Sequence, residues 1–112
     1  MLGVVHVEGG VTTARLHGEL DMVSVEALRD LLDDACATSS PRIVVDLGDV
    51  PFVDVLSLSV ILGVADALRD SGRQLVVEGS SRSVRRLCSV LNAEDILAPQ
   101  SPVPSAGTLP AD

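Results

Sequence analysis

The sequence predicts an α/β domain: a mixed, mainly parallel sheet of four to five strands that opens with a β-hairpin and carries packed helices. Three observations predict it. Two β-prone runs, Val4 to Val7 and Val11 to Leu16, are separated only by Glu8-Gly9-Gly10, and a Gly-Gly pair between such runs reads as a tight hairpin. Downstream, β-branched runs alternate with stretches whose apolar residues recur at helical spacing. Strand–helix–strand units in one sheet connect right-handedly, so this alternation builds parallel pairs with helices against them.

Each element has its own signal. After the hairpin, His17-Gly18-Glu19-Leu20-Asp21 leaves the second strand, with Gly18 free to take a backbone angle other residues avoid. From Val23 to Ala37 the residues Leu28, Leu31, Leu32, Ala35 and Cys36 form one helical stripe, while Arg29, Asp30, Asp33 and Asp34 lie mostly off it. Ile43-Val44-Val45-Asp46-Leu47 is a nearly continuous apolar run, which predicts a central strand covered on both faces. Gly48-Asp49-Val50-Pro51 then turns the chain. The spacing of Leu58, Ile61, Leu62, Ala65 and Leu68, widened by Val60 and Val64, predicts a helix over 55–71 buried over much of its girth. Gly72 ends it and Gln74 to Val77 is the next strand. Ser81 caps a third helix with the stripe Val84, Leu87, Cys88 and Leu91.

The domain is expected over 1–97. Residues 98–112 hold four of the six prolines and no apolar periodicity, so this segment is expected to be a flexible tail that cannot offset its ordering entropy by burial. At 112 residues, 46% hydrophobic and 21% charged, the chain is long enough to bury a core without metals or disulfides.

Charge and composition exclude several functions. A net charge of −8 repels a phosphate backbone, and with Phe52 as the single aromatic there is no stacking platform for bases, so no nucleic acid is expected. The longest apolar-rich stretch, Val55 to Leu68, is too short and interrupted to span a bilayer, so a cytoplasmic protein without membrane insertion is expected. Cys36 and Cys88 lie far apart without metal-ligand spacing and read as buried thiols; a redox pair would need their Cα atoms within about 7 Å. Arg82, Arg85 and Arg86 mark a local positive patch, either an ordinary solvated helix side or a contact for an acidic partner.

Catalytic signatures are sparse. Neither the Walker pattern nor GxGxxG is present, and no cofactor or metal is expected. His6 and His17 fall on the opening hairpin as surface residues. A nucleophile could be built from Ser57 near Asp54 with His17 as base, yet nothing in the spacing brings that histidine within reach, so no catalytic residues are assigned.

Three stretches fall in a recognisable order: Gly18-Glu19-Leu20-Asp21, Val44-Val45-Asp46-Leu47, and Val50-Pro51-Phe52-Val53-Asp54 leading into Leu58-Ser59-Val60-Ile61-Leu62-Gly63. Over about Val4 to Leu97 the chain resembles a STAS domain of the bacterial anti-sigma factor antagonist type. The resemblance implies a STAS-like sheet and a signalling protein that regulates transcription through protein–protein interaction. Such an antagonist binds a kinase-type anti-sigma factor and so influences sigma-factor release. In that family the Asp matching Asp54 is followed by Ser-Ser-Gly-Leu, and the second serine is phosphorylated by the anti-sigma factor. A helix start welcomes a phosphate, yet its charge of about −2 and its bulk spoil a docking surface.

This sequence departs there. It reads Asp54-Val55-Leu56-Ser57-Leu58, so Leu56 occupies the phosphoserine position and the expectation is binding without the usual switch. Ser57 and Ser59 are alternative phosphorylation positions, and capping or packing is their plain reading. The expected contact region is Asp21, Asp54, Val55, Leu56 and Ser57, with Val55 and Leu56 either docking residues or core. Two other readings keep the fold: a STAS accessory subunit of a membrane transporter that binds an ABC ATPase, and a nucleotide-sensing module resting on fold analogy.

Overall fold

The computed structural model describes residues 2–98. Strand β1 (Gly3–Glu8) turns through Gly9-Gly10 into β2 (Val11–His17), and both turn glycines have positive φ, 62° and 80°, which suits a two-residue hairpin. Helix α1 (Val25–Cys36), strand β3 (Arg42–Asp49), helix α2 (Val55–Asp70), strand β4 (Gln74–Glu78) and helix α3 (Arg82–Val90) follow, and a short 3-10 turn at Glu94–Ile96 was not foreseen from sequence. The sheet order is β1-β2-β3-β4, with β1 antiparallel to β2 and the remaining pairs parallel. Leu97 bridges Val77, and Ala98, which the sequence reading places in the tail, donates its N–H to the Val77 carbonyl at 2.8 Å. The expected tail otherwise lies outside the described residues.

Because β2, β3 and β4 are laid down in order, both right-handed crossovers bring their helices to the same side of the sheet. The core reflects this. Ala14 and Leu16 of β2, Ile43, Val45 and Leu47 of β3, and Leu75 and Val77 of β4 form one cluster with Leu28, Leu32, Leu58, Ile61, Leu68, Val84 and Cys88. Val44 and Val76 point to the other face and stand outside that cluster, although both are buried. Both faces of β3 are thus shielded from water, as the continuous apolar run implies, while the helices of the named cluster lie on one of them.

Two more expectations are adjusted. Helix α2 is buried along Leu58, Ile61, Ala65 and Leu68, but its outer side, Leu56, Ser59, Gly63 and Ala67, opens onto a groove of about 390 Å³ shared with Arg29 and Asp33 of α1. Cys88 is fully buried whereas Cys36 is only partly so. Burial pushes both thiols up from their ordinary value; Asp33 adds to this at Cys36, where Arg73 opposes it, and Glu94 adds to it at Cys88.

The base of the parallel strands is tied by polar groups. Thr12, buried in β2, donates through Oγ1 to Ser40 Oγ at 2.6 Å and lies 2.7 Å from Thr38 Oγ1. The Arg73 guanidinium donates to the carbonyls of Cys36 (3.1 Å), Thr38 (2.8 Å) and Ser40 (3.0 and 2.8 Å), satisfying acceptors left free where α1 ends. At the opposite end, β3 carries a register shift against β2, and a Cβ on Gly79 would lie 2.8 Å from the Gly48 amide nitrogen. The loop after β4 therefore touches the end of β3 backbone to backbone.

Hydrogen bonds from a charged donor contribute about 1.5–3 kcal/mol each, and loss of this one side chain frees several acceptors together. Arg73→Ala is expected to lower unfolding free energy by about 3 kcal/mol in urea titration, with Arg73→Lys recovering only part of it.

Candidate functional site

The carboxyl ends of β2 and β3 continue as paired loops. Gly18, at φ 83°, redirects the chain after β2 and donates its N–H to the Asp49 carbonyl at 3.3 Å. Leu20 then bridges Val53: Leu20 N–H donates to the Phe52 carbonyl and Asp54 N–H to the Leu20 carbonyl, both at 2.9 Å. This short parallel extension sets Asp21 and Asp54 on adjoining strands of chain. Two of the expected site residues are thereby brought together by backbone geometry alone.

Both aspartates hold helix starts. Asp21 Oδ1 accepts from the N–H groups of Val23 (3.0 Å) and Ser24 (3.2 Å), and Ser24 Oγ donates to the Glu19 carbonyl at 3.0 Å. Asp54 is the N-cap of α2 and accepts from Ser57 N–H at 2.7 Å. Asp54 thus caps α2 directly, whereas Asp21 holds the turn that leads to Ser24, the N-cap of α1.

The side chains next to them divide sharply. Val55 and Leu56 are 52% and 44% exposed, although both open a helix whose later apolar residues are core. Ser57 is 0% exposed and its Oγ has no hydrogen-bond partner among the described residues. Its inclusion in a contact region does not fit this placement, because the first turn of α2 directs position 57 inward, in step with Ile61 and Leu58. The nucleophile arrangement is not assembled either, since Ser57 Oγ bonds to nothing and His17 is exposed at the end of β2. Ser59 is exposed in the groove between α1 and α2.

Sequence reasoning missed part of the surface. Met22, Val23 and Phe52 are also exposed, on the two loops that the Leu20–Val53 bridge joins. Val23 was assigned to the first helix, but α1 begins at Val25 behind Ser24. The available signal was that Met22 and Val23 precede the helical stripe and belong to none of its positions. Like Val55 and Leu56 they are exposed apolar residues, and the chain around them carries the carboxylates of Glu19, Asp21, Asp49 and Asp54. Among the described residues no His, Cys, Asp and Glu group could hold a metal ion, and no helix is long and apolar enough to cross a membrane.

The molecule is thus a small one-sided α/β domain whose parallel strands end in a rim of interlocked loops. Residues 4–106 match the STAS domain family, and the chain belongs to it. Among its relatives is an anti-sigma-B factor antagonist of Staphylococcus aureus, 26% identical over 83 residues, which cover 74% of this chain and 77% of that protein. An anti-sigma factor antagonist from Mycobacterium paratuberculosis superposes with a TM-score of 0.78 at 25% identity, covering 88% of this chain and 85% of that one. The antagonist SpoIIAA in its unphosphorylated form superposes at 0.74 with 19% identity over 89% of each chain, which shows the fold. The chain is an anti-sigma factor antagonist-like STAS protein.

The orphaned hydroxyl of Ser57 yields a stability test. A buried hydroxyl without a partner costs about 1–3 kcal/mol in lost hydration. Ser57→Ala is therefore expected to raise the unfolding midpoint in chemical denaturation, by about 1 kcal/mol of stability, and a loss of stability would show that the hydroxyl is satisfied in solution.

Proposed function

We infer that this protein acts in the cytoplasm by docking onto a kinase-type anti-sigma factor and so influencing sigma-factor release, by binding and not by catalysis. One observation carries the reading. Val55 and Leu56 stand exposed at the start of α2, beside Asp21 and Asp54, where an apolar pair has no folding reason to face water. The likeness to antagonists of anti-sigma factors supplies the class of partner.

Apolar side chains at the centre of such a surface provide the burial that drives association, and the surrounding carboxylates set orientation and encounter rate. Asp21 and Asp54 contribute indirectly, by holding the two helix starts that present Met22, Val23, Val55 and Leu56. The contact region is then Asp21, Asp54, Val55 and Leu56, extended by Met22, Val23 and Phe52.

The family's serine switch has no counterpart at Leu56, whose side chain offers no hydroxyl. Without a phosphate at this position nothing repels the partner there, so release would be governed by partner concentration.

Leu56→Glu is expected to weaken binding to the cognate anti-sigma factor at least about tenfold in calorimetric titration, with little change in unfolding temperature, because the side chain is already partly in water. A large fall in stability with intact binding would refute the docking role. Intact-mass measurement after incubation with that kinase and ATP is expected to show no stoichiometric phosphate; a full addition would place the switch on another serine, with Ser59 the exposed one in α2.

A further inference from the structure

The two edges of the sheet are finished differently. At the β4 edge the chain itself comes back, with Leu97 bridging Val77 and Ala98 donating to the Val77 carbonyl. At the β1 edge no described strand pairs outward. The hairpin fixes which backbone groups are free there. Glu8 and Val11 flank the two-residue turn as a hydrogen-bonded pair, so bonding alternates through His6–Thr13 and Val4–Arg15 to the observed His17 N–H donation to the Leu2 carbonyl at 2.9 Å. The N–H and C=O groups of Val5 and Val7 therefore point away from β2, along the open edge.

That edge lacks the usual protections. It contains no proline or lysine, and its pairing with β2 runs without a bulge over six residues. Val4 and Val7 are each 54% exposed, on opposite faces of the strand. The flank of α1 above it extends the apolar strip. Arg29 and Asp33 line the groove toward α2, and α1 packs on β1 and β2, so Ala27 and Leu31 occupy the flank over β1, ending at Asp34. Ala27 is exposed and Leu31 only partly buried.

We propose that the β1 edge is a self-association surface, on which a second copy of this chain pairs β1 antiparallel to β1 and continues the sheet across a two-fold axis. The occupant is a second copy because the edge is complementary to itself. With Val5 opposite Val5 of the second copy, the outward groups of Val5 and Val7 are satisfied on both sides. His6 then faces Val4 of the other copy, and the two Glu8 carboxylates lie at opposite ends of the pair, so no like charges meet across the strands. Val7 packs over Gly3 of the other copy, where no side chain obstructs it. The surface is separate from the one inferred to bind an anti-sigma factor and does not depend on that reading.

Sedimentation of the full chain from about 1 µM to about 1 mM tests this. The expected result is a monomer–dimer equilibrium, and a monomer throughout would overturn the proposal. Val7→Lys, at an already exposed position, is expected to weaken dimerisation at least about tenfold while leaving the circular dichroism spectrum unchanged; dimerisation as tight as in the parent would overturn it. Val7→Thr, which keeps strand propensity without adding charge, should still dimerise. Amide exchange identifies the surface: the Val5 and Val7 N–H groups should become protected as concentration rises, and a dimer in which they exchange freely would show that another face is used.

Discussion

The site depends on a two-residue parallel pairing beyond the end of the sheet, Leu20 against Val53. Strands β2 and β3 pass through a register shift before this point, and the bridge continues their pairing beyond it. The bridge holds both loops in extended form long enough for Asp21 and Asp54 to emerge side by side, Asp54 as the cap of α2 and Asp21 in the turn that leads into α1. Leu20 is fully buried and Val53 nearly so, which anchors the pairing in the core. Burying two such side chains supplies several kcal/mol by area, about 1.5–3 kcal/mol each, more than the hydrogen bonds of the bridge alone.

A tension runs through this rim. The same aspartates that make it acidic accept backbone amides, Asp54 as the cap of α2 and Asp21 in the turn before α1, so the orientation of their carboxylates is set by the main chain. The apolar residues between them are excluded from the core by the direction in which each helix starts. Ser57 shows the converse: one residue further along α2, the chain has turned far enough to bury a hydroxyl with no acceptor or donor in reach. A small residue would suit that inward position better than serine does.

Most of the fold was legible in the sequence because its signals are local. The Gly-Gly turn, the stripes of α1, α2 and α3, and the Ser81 cap all depend on neighbours within a few residues; the turn and the cap fall where expected, and the ends of α1 and α2 lie within two positions. What covers each face of β3 was not legible, since the Ile43–Val45 run shows only that both are shielded from water. At the site, Asp21, Asp54 and Leu56 could be located from the resemblance, but the exposure of Met22, Val23 and Phe52 and the burial of Ser57 depend on how two distant loops are joined. That joining is a tertiary contact, 33 residues apart along the chain, and no local periodicity encodes it.

The close approach of Gly48 and Gly79 has a further consequence. There is no space between these two backbones for a single additional carbon, so the loop after β4 is wedged against the end of β3, whose following loop is zipped to the loop after β2. The three cannot swing independently. A visiting protein therefore meets a stiff plate, and little chain entropy remains to be lost on contact, which shifts the control of affinity toward shape and toward the rate of departure.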